Sequence, residues 1–384
     1  MPTTRPKPVG RPAVRPKFDI TGKLKDFRAK HLVPGMSVAV SYRGEIIKAQ
    51  SLGYRKGSEK NRVFHKSSEW KAADNDTTYR LASVSKTVTA VLAMRLAGRG
   101  KLDLDASVHD YIDDYPVTKG RLTPRMLLGH TSGIRHYKGR SNAGRYNKQA
   151  WDTCTDVAAL LHDTAFGRNR DYLYSTHAYT ILGACLEGAS GMDFPRLLFE
   201  ELKPAGRNLI SCEGGSVAGK PTRLSQLWAH RSGKRRRAKH VSDKYKIVGR
   251  DRLNWKWPGG GMLSTASKLA LFGAAVCDGT LMSDRWQDEM WSTQRLWNGN
   301  TARSDYGLGW SLGTRGGLRI VAHRGFQTGA SSYLRMMPDQ QIVVSILCNT
   351  RDLPVVNLGR SIMADAVDFV RPRTRGRTTT RKGK

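Results

Sequence analysis

Short apolar runs lie near both ends of the 384-residue chain. Near the N-terminus, the runs MSVAVSYR and EIIKAQSLGY are separated by a turn at Gly44, and this pattern predicts a β-hairpin. Near the C-terminus, turn residues (Gly, Pro-Asp, Asn) separate four further β-rich runs, which are YGLGWSLGT, LRIVAH, GASSYLRMMP and QIVVSILCNT. We therefore expect strands in both terminal regions.

Helical spacing marks other segments of the chain. Asp19 to His31 has the composition of a short helix, and the final run PVVNLGRSIMADAVDFV repeats apolar residues with helical spacing. Between the terminal β regions, residues 83 to about 272 are dominated by helical patterns and loops. Strands at both ends around helical sequence predict an α+β fold, with one antiparallel sheet built from both chain ends, flanking helices and an inserted helical region.

The charge is unevenly distributed along the chain. The net charge is +33, from 65 Lys and Arg against 32 Asp and Glu. We expect a basic, Pro-rich arm at 1–18, a folded domain at 19–370 with a basic insertion at about 229–256, and a basic tail at 371–384. Such a charge predicts contact with a polyanion such as nucleic acid, through residues 1–18, 230–240 and 371–384.

Composition also bears on the location of the protein. No run approaches the ~18 apolar residues that a membrane span requires, so we expect no span. The first twenty residues lack the apolar core of a secretory signal, which predicts a cytoplasmic protein. A mitochondrial transit peptide is the alternative, because the start is Arg-rich and free of acids, although its prolines disfavour an amphipathic helix.

Several classes of site are not predicted. The five cysteines are widely spaced without a C-x-x-C pair, which favours reduced thiols over disulfides or a metal site, and no cofactor is expected. The segment GGSVAGKP, residues 214–221, matches a P-loop except at its last residue, where proline cannot supply the hydroxyl that binds magnesium. The G-x-S-x-G motif is absent, which argues against an α/β-hydrolase.

The tetrapeptide S-x-x-K occurs twice, as SEWK at Ser68 and as SVSK at Ser83. Only Ser83 is followed by an apolar helical face, formed by Val84, Val88, Val91, Leu92 and Leu96. Residues three apart share a helix face, so Lys86 would lie beside the Ser83 hydroxyl. A desolvated lysine can take the proton of a serine nucleophile, and the helix N-terminus favours an oxyanion. The alternative interpretation is an N-capping serine and a surface lysine.

Further motifs follow SVSK in a specific order. With it, the chain resembles the serine β-lactamase-like hydrolases related to penicillin-binding proteins, most closely their mitochondrial type. The resemblance covers roughly residues 34–369. It rests on RLASVSKTVTAVLAM, GKLDLDASVHDYI, MLLGHTSGIRHY, YLYSTHAYTILGACLEGASG, WKWPGGGMLSTASKLALFG, AHRGFQTGASSYLRMMP and QIVVSILCN.

The resemblance implies a catalytic group. Ser83 matches the acylated nucleophile of the family and Lys86 its lysine partner. Tyr174, in YST, matches the tyrosine that acts with the lysine as general base and later protonates the leaving group. Thr176 stands where many relatives have asparagine, so a hydroxyl replaces an amide.

The resemblance also implies an oxyanion hole and a strand that binds substrate. His323 and Gly325, in HRG, match the Lys-Thr-Gly element, whose glycine allows close approach to the backbone. The N–H of Phe326 is expected to join the N–H of Ser83 in the oxyanion hole. We expect His130 and His136 to order a loop beside the cleft and to bind no metal, since no further ligand lies at a suitable spacing.

The predicted function is a serine hydrolase that forms an acyl-enzyme on peptide, ester or amide substrates. β-Lactamase activity should be weak or absent, because His323 is mostly neutral at pH 7 where a lysine would hold a substrate carboxylate. The alternative is a catalytically idle scaffold that binds nucleic acid or another polyanion. Four aromatic residues interleave with the cations of the basic insertion and would stack on bases, namely Trp228, Tyr245, Trp255 and Trp257.

Overall fold

A computed structural model describes most of the predicted folded domain. The described residues are 17–58, 70–113, 115, 122–137, 146, 149–161, 171–215, 217, 221–231, 240–296, 298–302 and 304–371. Most of the predicted arm, nearly all of the tail, the centre of the basic insertion and Ser68 lie outside them.

The described residues form eleven α-helices and twelve strands. The helices are α1 Thr21–His31, α2 Ser85–Gly98, α3 Pro124–Leu128, α4 Cys154–Ala158, α5 Thr176–Ser190, α6 Phe194–Leu202, α7 Val241–Lys244, α8 Trp257–Gly260, α9 Ala266–Cys277, α10 Asp284–Met290 and α11 Val355–Val370. The strands are β1 Gly35–Tyr42, β2 Glu45–Lys56, β3 Lys71–Ala72, β4 Tyr79–Arg80, β5 Ser211–Cys212, β6 Leu227–His230, β7 Tyr245–Val248, β8 Met262–Ser264, β9 Ser311–Arg315, β10 Leu318–Gln327, β11 Ala330–Met337 and β12 Ile342–Cys348.

The main sheet joins the two ends of the chain, as predicted. Its strand order is β3-β2-β1-β12-β11-β10-β9, and every neighbouring pair is antiparallel. The N-terminal β1 pairs with the C-terminal β12, with Val38 opposite Ile346. The predicted hairpin turn is confirmed, because Arg43 (φ 49°) and Gly44 (φ 81°) both adopt the positive φ angles that a tight hairpin requires.

Helices cover both faces of this sheet. Side chains alternate between faces along a strand, so Met36 and Val38 face a core that α1 and α11 complete. Ala39 faces the second core, which contains α2 and α9. The inserted region between β2 and β9 is mainly helical but also holds two small sheets, β4-β8-β5 and β6-β7. Sequence interpretation missed these sheets because most of their strands have only two to four residues.

Helix α2 differs from its predicted pattern of one apolar face. Every residue from Ser85 to Ala97 except Arg95 is buried, including Lys86 and several threonines. A helix that is buried on all sides lies inside a protein and does not show an amphipathic stripe. Thr89 illustrates the cause, since its hydroxyl donates a hydrogen bond of 2.8 Å to the carbonyl of Pro258, far away in sequence.

The described part of the basic insertion is a folded hairpin, β6-β7. Its aromatic residues are not available to stack on bases, because Trp228, Tyr245 and Trp255 are 0% exposed and Trp257 is 3% exposed. The indole of Trp228 stacks on Trp70, with ring centroids 6.2 Å apart. The predicted aromatic platform for nucleic acid is therefore wrong, since these rings form core contacts.

All five cysteines are free, and four of them are buried. Within the ranges given above, no helix is both long enough and apolar enough to cross a bilayer.

Candidate active site

Ser83 lies in a 3₁₀ turn, Ala82–Val84, that leads directly into α2. Ala82 has a φ of 47°, a left-handed conformation that costs a residue with a Cβ about 1–2 kcal/mol. Ser83 is partly exposed, whereas the residues on both sides of it are buried. The turn therefore presents one hydroxyl to the solvent side at the N-terminal end of a buried helix.

Lys86 lies one turn further along and is 0% exposed. Its Nζ donates hydrogen bonds of 3.1 Å to Thr176 Oγ1 and 2.6 Å to the Gly259 carbonyl. Burial, followed by the charge of Lys256, holds the pKa of Lys86 well below its usual 10.5. A neutral amine has two hydrogens and one lone pair. Because both acceptors can be served by the two hydrogens, the lone pair is left to accept a proton.

The two acceptors of Lys86 are fixed by glycine packing. A Cβ on Gly259 would lie 2.7 Å from Thr176 Cγ2, so only glycine lets this carbonyl approach so closely. The segment before it is anchored to α5, where the Thr180 hydroxyl donates 3.1 Å to the carbonyl of Trp255. The WPGGG run therefore positions a neutral oxygen beside the lysine.

Tyr174 stands between the lysine and the nucleophile. The Ser83 side chain lies close enough to lower the pKa of Tyr174, and Lys86 Nζ lies 4.8 Å from the centre of the Tyr174 ring. Burial raises the pKa of Tyr174 above its usual 10, so the phenol keeps its proton near neutral pH. The expectation that Tyr174 shares the base role stays a prediction. Lys86 can act as the base, and Tyr174 can relay or donate a proton.

A histidine loop holds Tyr174 in place. The backbone N–H of Ser175 donates to His130 Nδ1 at 3.2 Å, and the N–H of Thr176 donates to His136 Nδ1 at 3.0 Å. Burial lowers the pKa of His136 to about 3 and that of His130 well below 6.5, so both rings are neutral acceptors. These contacts agree with the expected role of the two histidines in ordering a loop.

Gly325 brings β10 against the nucleophile turn. A Cβ on Gly325 would lie 2.6 Å from the Leu81 carbonyl and 2.8 Å from the Ser83 nitrogen. The glycine is thus required by the protein's own backbone, in addition to any substrate. The Phe326 ring packs into the opposite core, so Phe326 can offer only its backbone to the site. Among the described residues, no strand pairs with the β9 side of β10 beyond Ala322.

His323 lies behind Tyr174 with both ring nitrogens occupied. Nδ1 is 2.7 Å from the Arg324 carbonyl and must donate to it, so Nε2 accepts from the Tyr306 hydroxyl at 3.0 Å. Burial, followed by the charge of Lys86, lowers the pKa of His323 to about 3. The ring is therefore neutral. It forms part of the wall and has no free nitrogen for a substrate carboxylate, contrary to its expected role in substrate binding.

Lys256 is a second buried lysine, close enough to Lys86 for its charge to act there, and the sequence interpretation gave it no role. It is 6% exposed, and its Nζ donates to Gln327 Oε1 at 3.2 Å. Burial lowers its pKa to about 8. No carboxylate within the described ranges lies at ion-pair distance from this ammonium group. A lysine between two tryptophans and before the glycine run of WKWPGGG was the available sequence signal.

Comparisons with known proteins identify the family of the chain. The sequence profile described as Beta-lactamase matches residues 20–367. The chain belongs to the beta-lactamase family. It therefore has the fold of this serine hydrolase family, and the resemblance and the fold predicted from the sequence are both confirmed.

Several members of the family are similar over most of the chain. The human protein named serine beta-lactamase-like protein LACTB, mitochondrial, is 25% identical, over 94% of this chain and 80% of its own length. Penicillin-binding protein 4* of Bacillus subtilis (strain 168) is 26% identical, over 84% and 69%. The structure of the octameric penicillin-binding protein homologue from Pyrococcus abyssi superposes with a TM-score of 0.70 at 21% identity, over 90% and 76%.

Proposed function

We propose that this member of the beta-lactamase family is a serine hydrolase that forms an acyl-enzyme on Ser83. The observation that carries the proposal is Lys86, a fully buried lysine whose partners are neutral oxygens and whose pKa is lowered. A serine becomes a nucleophile when a neighbouring base accepts its proton. Tyr174, which lies close to both Ser83 and Lys86, supports a path for that proton.

The proposed reaction has two halves. Lys86 takes the Ser83 proton as Oγ attacks the substrate carbonyl carbon, and the N–H groups of Ser83 and Phe326 stabilise the oxyanion. Collapse of this intermediate breaks the C–N or C–O bond, and Tyr174 passes the proton to the leaving group. A water then attacks the ester carbon, Lys86 accepts the water proton, and Ser83 leaves with a proton restored.

The leaving group and the acyl part of the substrate would lie at opposite ends of β10. The Tyr174 ring lies 6.3 Å from His323, so a leaving group protonated by Tyr174 would lie at the His323 end. The acyl part would then extend towards Gln327 and Lys256. A cation without a carboxylate partner among the described residues favours an acyl group that itself carries a carboxylate.

The proposed substrates are peptides, esters or amides, with weak or no activity on β-lactams. A β-lactam carries its carboxylate on the leaving side, where the neutral His323 offers neither a charge nor a free ring nitrogen. Nitrocefin should therefore be turned over slowly or not at all. Rapid turnover that Ser83→Ala abolishes would contradict this part of the proposal.

The proposal is tested by intact mass spectrometry after incubation with a fluorophosphonate probe. One adduct is expected on the wild type and none on Ser83→Ala. Ser361→Ala is the matched control, since Ser361 is an exposed serine on α11 that contacts Lys23. No adduct on any protein would contradict an activated serine and favour the idle polyanion-binding scaffold.

The basic segments support a second, separate proposal about location. The polyanion contact predicted for residues 1–18, 230–240 and 371–384 would tether the enzyme without taking part in catalysis. The relatives named LACTB are mitochondrial by name, so we propose a mitochondrial location in place of the cytoplasmic one first expected. Imaging of a C-terminal fluorescent fusion in its own cells tests this, and a diffuse cytosolic signal would contradict it.

A further inference from the structure

The face of β10 that points away from Ser83 lines a cavity of about 540 Å³. Side chains alternate along a strand, so Arg324 points to the opposite face from His323 and Gly325. On the neighbouring strand, Tyr333 pairs with Arg324, and Arg335 pairs with Ala322. Four arginines from four elements line this arginine cavity: Arg315 of β9, Arg324 of β10, Arg335 of β11 and Arg360 of α11.

Among the residues that the structure describes, none brings a negative charge to the arginine cavity. Its lining contains no aspartate or glutamate, and none of the four guanidinium groups forms an ion pair with another described residue. Arg335 is 9% exposed, and its Nη1 donates to the Tyr333 hydroxyl at 3.1 Å. Its Nε is buried and has no partner among the described residues. A buried charge without a partner is costly, so the site is electrostatically incomplete.

Two other arginines with buried guanidinium groups, Arg80 and Arg95, have carboxylate partners. Arg80 bonds to Glu213 at 2.7 Å and to Asp251 at 2.6 Å. The buried guanidinium of Arg95 bonds to Glu201 at 2.7 Å. The fold thus supplies acids to both of these buried guanidinium groups, and the lack of a described acid near Arg335 indicates an anion from outside the chain.

We propose that the arginine cavity binds a compact anion with more than one phosphate group. Guanidinium groups bind phosphate oxygens with two parallel hydrogen bonds, and four of them match several negative charges better than one. The volume lies within the range of about 300–1,000 Å³ that is usual for small-molecule sites. The Tyr333 hydroxyl adds a neutral polar group at the cavity wall. This site is distinct from the Ser83 cleft, because it lies on the other face of β10.

Calorimetric titration of the full chain with sodium pyrophosphate tests the proposal. Sodium chloride at matched ionic strength corrects for screening of the large net charge. Arg360→Gln removes one guanidinium group from the cavity lining. Because Arg360 lies at the surface of α11, the variant should fold normally, and it should bind pyrophosphate roughly tenfold or more weakly. Arg207→Gln is the matched control, since Arg207 is an exposed arginine outside the cavity lining, and it should bind like the wild type.

The outcomes separate the sources of such an anion. Saturable pyrophosphate binding that Arg360→Gln weakens and Arg207→Gln preserves supports a soluble phosphate ligand. If vesicles that contain phosphatidylinositol bisphosphate bind instead, with the same dependence on Arg360, the phosphate chemistry stands and the source is a lipid headgroup. Equal binding by all three proteins, or no binding at all, overturns the proposal. None of these readouts depends on Ser83 activity.

Discussion

Two buried cations six positions apart in the chain are used in opposite ways. Arg80 and Lys86 are 1% and 0% exposed. Arg80 meets two carboxylates, Glu213 and Asp251, and these raise its pKa against the effect of burial. Lys86 meets a hydroxyl and a carbonyl, and its pKa falls. The hydrogen-bond partners therefore decide whether a buried cation stabilises the fold, as with carboxylates, or can become a base, as with neutral oxygens.

The largest effect is expected when the reactive member of this pair is removed. In our proposal, Lys86→Met should slow labelling by a fluorophosphonate by roughly 10²–10⁴-fold, the usual contribution of a general base. The unfolding midpoint should change little, because the loss of two hydrogen bonds to neutral oxygens is offset by removing a buried amine. Lys101→Met, at an exposed lysine beyond α2, should label normally. A loss of less than threefold in Lys86→Met would remove Lys86 from the mechanism.

Loss of a partner of Arg80, the structural member of the pair, should lower stability and leave labelling unchanged. Glu213→Gln removes one carboxylate from Arg80 and Arg250, and the free energy of unfolding should fall by about 3 kcal/mol, as for other broken buried pairs. Labelling per folded molecule should change little. Denaturant titration measures the loss.

A matched pair at the surface provides the control for Glu213→Gln. Glu289 pairs with Arg125, but its side chain is 36% exposed. Glu289→Gln should therefore lower the unfolding free energy by about 1 kcal/mol or less. Equal losses in the two variants would show that burial does not distinguish the Arg80 cluster from a surface pair.

The sequence alone predicted the features that depend on residues close together in the chain. The order of strands and the apolar run after SVSK were sufficient for the sheet and for α2. Each depends on neighbours in the chain or on a repeated spacing. The motif order also selected Tyr174 and Thr176, which lie next to Ser83 and Lys86 in the structure.

Contacts between distant segments could not be predicted in this way. The acceptor for Lys86 is a carbonyl 173 positions away, and the partner of Arg80 is 133 positions away. Backbone oxygens carry no sequence signal, so Gly259 was not identified as a functional group. For the same reason, Lys256 and the tryptophans of the basic insertion looked like surface residues, although folding buries them.

A smaller effect is expected at the second lysine of the cleft. If Lys256 faces an acyl carboxylate, the wild type should prefer p-nitrophenyl hemisuccinate to p-nitrophenyl butyrate in kcat/KM. Lys256→Met should reduce that ratio by about tenfold, since a hydrogen bond to a charged group is lost, with little change for the neutral ester. Lys268→Met is the control, because Lys268 lies on α9 in another cleft. An unchanged ratio in Lys256→Met would contradict the assignment of the acyl side.

The same substitution should also shift the pH dependence slightly. The charge of Lys256 lowers the pKa of Lys86. Removal of that charge should raise the pKa of Lys86, and the rise of the labelling rate with pH should move to higher pH. Labelling rates of Lys256→Met and the wild type across pH measure the shift. A shift to lower pH would contradict the proposed electrostatic coupling of the two lysines.

The central claim is that Lys86 is a neutral base in the folded protein. The pH dependence of fluorophosphonate labelling of the wild type tests it most directly, with the adduct on Ser83 followed by mass. As the unprotonated fraction of Lys86 grows, the rate should rise with pH and level off well below pH 10.5. A rate that keeps rising to pH 10.5 would mean that Lys86 has an ordinary pKa and would contradict the account.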